Sequence, residues 1–457
     1  MSIHPIDYVK SHRQQFVTEL KDFIRFPSVS IQPKHSRDLE MCAVWLADHL
    51  RLIGLEGVRV LPTKRHPLVY AEWQHAPGRP TVLIYGHYDV QPVEPLDKWQ
   101  IPPFEPKVYG DYIYGRGSSD DKGQLFAHIK ALESYLRTNG RLPVNVKCLF
   151  EGEEEIGSPN LFSFLLQYKQ ALSADVVLIS DTHIIAPNRP AITYALRGML
   201  SLELEVCGPK QVLHSGSFSG AIHNPLQAIC EIMASLHDTN GRVAIPGFYD
   251  RVRILDKNER NYMARVGPSN EQILIDAQSE SSWGESGYTL YERTTIRPAL
   301  TVNSVVGNHL GPGSEGVIAS RALAKISFRL VPDQTPSEIE HIFRQYIAQI
   351  TPHTVRTKVF SISGSRPVVI NRRHPMLRSA VIAYNKSFGA KPVFLRSGGT
   401  IPIVSFLQDI LSIPTVLMGF ALPDDQKHAP NERFYLPNFF NGIETIIWFL
   451  AQIGGEL

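Results

Sequence analysis

Four cysteines are few for a chain of 457 residues, and Cys42, Cys148, Cys207 and Cys230 include no CxxC pair. Their spacing excludes a zinc ribbon and a dense disulfide framework, and fits a reducing compartment. An excess of one charge sign is also lacking: 46 Lys plus Arg against 44 Asp plus Glu leaves +2, with no charge block along the chain. That balance removes the electrostatic case for nucleic acid or an anionic membrane as the main partner. No apolar run approaches the roughly 20 residues of a membrane span. The N-terminus, MSIHPIDYVKSHRQQF, runs into charged amphipathic sequence without the apolar core of a signal peptide, so the expected location is cytoplasmic. Repeats and low-complexity tracts are absent too. What remains is an ordinary globular composition, 43% hydrophobic and 20% charged, with length for two or three domains.

The organisation shows in the apolar periodicity. Asp7 to Arg25 places Val9, Phe16, Leu20, Phe23 and Ile24 at helical spacing, and Leu39 to Leu52 is a second amphipathic helix. Short β-rich runs follow (VRVLP, LVYAEW, TVLIYGH), then a helix near Gln124 to Arg137, VNVKCLF, a helix near Leu161 to Leu172, and ADVVLIS. This alternation implies βαβ crossovers and a mostly parallel sheet with helices on both faces. Near Pro190 the style changes. MLSLELEV and AKISFRL alternate apolar and polar positions, helical stretches at Pro225 to Leu236 and Ser337 to Ile350 follow them, and HTVRTKVFSI closes the region. The β-α-β…β-α-β order suggests a ferredoxin-like α+β domain. The α/β style then returns with helices at Met376 to Phe388 and Phe439 to Ile453 around PTVLMGF. The reading is one α/β domain, residues 1–192 and 366–457, interrupted by an inserted α+β domain, residues 193–365.

The chemistry-bearing residues fall at strand ends, where ligand sites form in an open α/β sheet. TVLIYGH leads into Gly86-His87-Tyr88-Asp89, so the imidazole of His87 can bind a metal while the Asp89 carboxylate takes its other N–H. By itself HxD is weak, and a structural histidine explains it as well. In GRGSSDDKG, Asp120 and Asp121 could cap a helix, but adjacent carboxylates would repel a phosphate; Asp120 as a bridge between metals is the sharper reading. In FEGEEEIGS, a solvated acidic turn is the bland alternative. Consecutive residues at a strand end point in different directions, however, so Glu155 could ligate a metal while Glu154 faces a bound water as general base. Asp181 after ADVVLIS and His428 in KHAPNE complete five candidate ligands. One shared carboxylate gives each of two metals one histidine and two carboxylates, a composition that suits zinc first, with manganese or cobalt as alternatives.

In order, GHYDVQP, GRGSSDDKG, EGEEEIGS, LHSG, SFRLVPDQTP and HAPNE resemble the co-catalytic zinc metallopeptidase and deacylase family of acetylornithine deacetylase, succinyl-diaminopimelate desuccinylase, glutamate carboxypeptidase and the carnosinase-type dipeptidases. The HYDVQP wording is most similar to the cytosolic non-specific dipeptidase branch. The resemblance implies that His87 and Asp181 hold one metal and Glu155 and His428 the other, with Asp120 bridging. It also implies a cis peptide after Asp120, Asp89 orienting His87, and Glu154 as catalytic base. The inserted domain becomes a lid or dimerisation domain. His214 in LHSG becomes the residue that reaches a neighbouring subunit's active site and binds the carbonyl oxygen, Arg329 the grip on the substrate's terminal carboxylate, and Ser397, Gly398 and Gly399 a loop lining the pocket. Where dipeptidase relatives carry KTVIP, this chain has EGVIA, Glu315 to Ala319, so Gly316 replaces a threonine expected to touch substrate. Asp181, rather than a glutamate, tilts the reading towards aminoacyl dipeptides. The implied activity is hydrolysis of a dipeptide, or of a similar small substrate with a free carboxylate, by a metal-bridging water and Glu154, in a homodimer. Hydrolysis of an N-acyl or N-carbamoyl amino acid at the same metals is the alternative, and a non-catalytic metal-binding interaction protein the remote one.

Overall fold

The computed structural model describes residues 4–307 and 316–456; Glu315 lies outside them. The chain forms two compact units: the first runs to Tyr194 and adds Ile370–Leu395 and the residues from Ile401 on, and the second is Ala195–Val369 with Arg396–Thr400.

In the first unit, the strands lie in the order Glu56–Leu61, Leu68–Trp73, Asn145–Glu151, Thr81–His87, Val176–Ile179, Thr415–Met418 and Ala191–Leu196. The sheet is mixed. Asn145–Glu151, Thr81–His87, Val176–Ile179 and Thr415–Met418 are mutually parallel, as the alternation of strands and helices predicts, and the flanking strands pair antiparallel. The reason is connection length: a parallel pair needs a crossover of about a dozen residues or more, and the link between Leu61 and Leu68 is too short for one. The parallel strands are buried along nearly their whole length, with Val82, Leu83, Ile84, Val176, Val177 and Leu178 all inaccessible, which explains their unbroken apolar runs. The segment expected as one helix over Asp7 to Arg25 is two, Pro5–Ser11 and Arg13–Ile24. At His12 the backbone leaves the helical region, and its ring stacks on Tyr8 and lies 2.9 Å from the Tyr8 carbonyl, a local side-chain contact that competes with the helix.

The second unit holds a four-stranded antiparallel sheet in the order Ala299–Gly307, Arg321–Leu330, Gly198–Cys207, Arg356–Ser365. Helices Pro225–Ala234 and Pro336–Ile350 complete the ferredoxin-like β-α-β-β-α-β order. Leu200, Leu202, Leu204 and Val206 pack with Ile326, Phe328 and Leu330 against Ile229, Ile339 and Phe343. The sequence reading missed three helices here, Lys257–Val266, Asn270–Asp276 and Leu290–Thr295. It also missed strand Ala299–Gly307, and helix Pro402–Leu411 in the first unit.

Candidate active site

Strand Thr81–His87 delivers His87 to the sheet end fully buried. Its Nδ1 lies 3.1 Å from the Asp89 main-chain carbonyl and 3.4 Å from the Asp89 carboxylate. The sequence reading assigns this N–H to the carboxylate; the carbonyl is the nearer acceptor. The carboxylate instead accepts the N–H groups of Glu154 at 3.1 Å and Glu155 at 3.0 Å, so Asp89 braces the imidazole and the glutamate turn together.

His87 Nε2 then faces Asp120 Oδ1 at 3.3 Å and Asp181 Oδ2 at 3.8 Å. The other Asp120 oxygen faces His428 Nε2 at 2.9 Å, and His428 Nε2 is 3.3 Å from Glu155 Oε2. Two trios result, His87–Asp120–Asp181 and Asp120–Glu155–His428, each with its potential ligand atoms within 4.8 Å of one another. Asp120 belongs to both, one oxygen on each side. The Asp120–Asp121 peptide is cis, and His428 adopts a left-handed backbone with φ 62°.

The strand ends at Glu151, and Glu153 and Glu155 diverge because a short 3₁₀ turn over Glu154–Ile156 follows it. Glu153 points into the fold and accepts from Thr63 Oγ1 at 3.0 Å, the His66 N–H at 2.8 Å and Asn160 Nδ2 at 2.9 Å. Glu155 turns to His428 and accepts from Gln91 Nε2 at 2.8 Å. Burial, joined by the charges of Glu155, Asp181 and Asp120, pushes the Glu154 carboxyl well above the usual carboxylate range, against the pull of His87. Asp181 is likewise raised by burial and by Asp120. Although burial opposes it, Asp120 is held well below its ordinary value by Lys427, His428 and His87.

Several contributors escaped the sequence reading. Glu432, the last residue of KHAPNE, is buried and fastens the glycine-rich loop. Its Oε1 accepts the N–H groups of Ser119 and Asp120 at 2.9 and 3.0 Å. Its Oε2 accepts from Gly117 N–H at 2.9 Å and Arg116 Nη1 at 2.8 Å. Lys427 Nζ donates to Asp181 Oδ1 at 3.0 Å and lies 3.9 Å from Asp120 Oδ1. Ahead of Asp181, Ser180 Oγ is 2.8 Å from His128 Nε2.

Divalent metals fit this cluster. His87 Nε2 and Glu155 Oε1 are buried without a hydrogen-bond partner, a costly condition that ligation would relieve. The donor set of two imidazoles and three carboxylates is also a transition-metal set.

The other expected site residues lie in the second unit. Arg329, on strand Arg321–Leu330, donates from Nη1 to Thr400 Oγ1 at 2.9 Å, and Thr400 donates to the Arg197 carbonyl at 2.8 Å. Arg197 Nε donates to the Gly398 carbonyl at 3.0 Å, and the Arg197 N–H to the Gly399 carbonyl at 3.2 Å, so Ser397, Gly398 and Gly399 are tied to the arginine pair. Burial and the like charge of Arg329 both disfavour the charged form of Arg197, and among the described residues neither guanidinium has an acidic partner. His214 is exposed on a separate ribbon, Leu213–His214 paired with Val317–Ile318. A Cβ at Gly316 would meet nothing within 4 Å, so space does not require the glycine there.

A family model described as peptidase family M20/M25/M40 matches residues 83–452. Beta-Ala-His dipeptidase of Mus musculus is 29% identical over 466 residues, covering 98% of this chain and 95% of the relative. Cys-Gly metallodipeptidase of Candida albicans is 29% identical, covering 98% of this chain and 96% of the relative. Among solved structures, an M20 family metallo-carboxypeptidase of Sulfolobus solfataricus superimposes with TM-score 0.87 at 30% identity, covering 96% of this chain and 99% of that one. No helix of the described residues is long and apolar enough to cross a membrane.

Proposed function

This chain belongs to peptidase family M20/M25/M40 and is a metallopeptidase, and from that premise we propose that it hydrolyses the amide bond of dipeptides, or of similarly small substrates with a free carboxylate. The observation that carries this reading is the Asp120 carboxylate shared by two His-and-acid trios, with Glu154 on the same half-buried turn as Glu155. The dipeptidases among the relatives support the substrate class.

Two divalent cations, zinc first and manganese or cobalt otherwise, would be held by His87, Asp120 and Asp181 and by Asp120, Glu155 and His428, and would supply Lewis acidity that brings the pKa of water towards neutrality and polarises the scissile carbonyl. Glu154 takes the proton of the attacking water and returns it to the leaving amine. Asp89 keeps the His87 ring and the Glu154–Glu155 turn in register. Arg329 grips the substrate's terminal carboxylate, for which a planar two-pronged donor is well matched, and Ser397, Gly398 and Gly399 line the pocket. His214 donates to the carbonyl oxygen in a neighbouring subunit. The inserted domain, residues 193–365, acts as lid and dimerisation surface, the catalytic domain is residues 1–192 and 366–457, and the enzyme works as a homodimer in the cytoplasm.

The test is a panel of unblocked dipeptides and the matching N-acetyl amino acids, assayed with zinc, manganese and cobalt. Turnover of the dipeptides supports the reading. Turnover of the N-acetyl compounds alone replaces it with amino acid deacylation, and no turnover of either makes this a non-catalytic metal-binding protein.

A further inference from the structure

An ammonium already sits against one of the two trios around Asp120. Lys427 Nζ donates to Asp181 Oδ1 at 3.0 Å and is 3.9 Å from Asp120 Oδ1, the oxygen that also faces His87. Asp181 is thereby divided, with Oδ2 towards His87 and Oδ1 towards the lysine. Among the described residues no cationic side chain other than His428 itself makes an ion pair with Glu155.

The same fold shows what a lysine can do to such a trio. Glu19, His49 and Glu133 form a third group with the composition of a metal site. There Lys130 Nζ lies 2.9 Å from His49 Nε2, donates to Glu133 Oε2 at 2.6 Å, and also bonds Glu19. Its side chain is fully buried, so the ammonium is the permanent cation of that trio. Lys427 is an intermediate case: it touches one acid, and its side chain is 28% exposed and so has an outward route.

We propose that Lys427 is an internal competitor for the cation held by His87, Asp120 and Asp181, so that the two positions load in order, Asp120–Glu155–His428 first and more tightly, the His87 position second. The inference rests on the two-cation reading above. A cation entering the His87 position must either displace the ammonium from Asp181 or bind beside a like charge, and it loses affinity in both cases. Among the described residues the Asp120–Glu155–His428 position has no such competitor bonded to Glu155.

Isothermal titration of zinc into chelator-stripped full-length protein, against a competing chelator, tests this. Wild type shows two steps of unequal affinity. Asp181→Asn removes the weaker step and Glu155→Gln the tighter one. Lys427→Met tightens the weaker step by about tenfold or more, the scale of changes to groups that hold metal ligands, and leaves the tighter step in place. Lys427→Gln, which keeps a polar group, does the same, and guards against misfolding of the methionine variant. Two equal steps in wild type, or a weaker step unmoved by both lysine variants, overturns the proposal while leaving the metal reading intact. Loss of the tighter step in Asp181→Asn reverses the order and overturns it as well. Failure of wild type to bind any cation sinks the metal reading itself.

Discussion

The acid cluster of the first unit and the arginine pair of the second are unbalanced in opposite senses. Around His87 and His428, Asp120, Glu155 and Asp181 crowd together with Glu154 close by, and among the described residues only Lys427 offsets them with a permanent positive charge. Around Thr400, Arg197 and Arg329 press two like charges together, with no acidic partner among the described residues. Other buried charges are closed into ion pairs, such as Arg116 with Glu432 at 2.8 Å and Arg297 with Glu285 at 2.7 Å. On the proposed reading the two clusters take ligands of opposite sign, cations in one and an anionic group in the other.

The largest effect expected from this contrast is on chemistry. Glu154→Gln should lower kcat by about 10²–10⁴-fold, the usual worth of a general base, while bound metal measured by atomic absorption stays at the wild-type level. Loss of metal in that variant would move Glu154 into the ligand set and blur the division between base and ligands. Next comes the contrast between closed and exposed pairs. Glu432→Ala strands a buried guanidinium and three loop N–H donors, and should cost about 3–5 kcal/mol in urea unfolding. Arg253→Ala, which opens a solvent-exposed pair with Asp333, should cost about 0–1 kcal/mol. Equal costs would show that Glu432 does not hold the Gly115–Asp120 loop.

What could be read in advance follows the same physics. The five ligand candidates were legible because parallel strands end on one side of a sheet, so short strand-end motifs far apart in sequence meet there. A division of Glu154 from Glu155 is expected from strand geometry, but the strand ends at Glu151 and a tight helical turn over Glu154–Ile156 carries both residues instead. Lys427 was not, because a lysine before a histidine in a polar loop reads as a solvated charge until the fold sets it against Asp181. Glu432 and Arg197 were hidden in the same way, their partners lying hundreds of positions away. The helices between Lys257 and Thr295 could have been found: Asp256, Ser269 and Thr289 each cap the N–H three residues on, and Thr289 with Glu292 forms a full capping box. They were missed because their apolar periodicity is weak, with only Met263 and Val266 buried in the first of them. The antiparallel pairing of the outer strands was missed because alternation of element types says nothing about a strand pair joined by a short loop.

A smaller effect is expected at the arginine pair. Arg329→Met should lower kcat/KM for a dipeptide by about 10–100-fold, the worth of a hydrogen bond to a charged group, mostly through KM. With a C-terminally amidated dipeptide, wild type should be as slow as the variant, since no carboxylate is left to grip. If the variant loses as much on the amide as on the free acid, Arg329 acts on the fold and not on the substrate, and the second cluster ceases to be an anion site.

The smallest effect separates the two arginines from each other. Arg197 spends its Nε on the Gly398 carbonyl and its main-chain N–H on Gly399, with its Nη1 at 3.4 Å from the Arg297 carbonyl. It therefore positions the loop and leaves Arg329 as the exchangeable hand. Lysine keeps the charge at this place but cannot make several fixed donations at once. Arg197→Lys should thus raise KM by about three- to tenfold, at a cost near 1 kcal/mol, with kcat and the response to amidation unchanged. Were Arg197→Lys instead to erase the difference between free and amidated substrates, as Arg329→Met does, both guanidiniums would be gripping the carboxylate, and the second cluster would be a two-armed clamp rather than one arm on a braced loop.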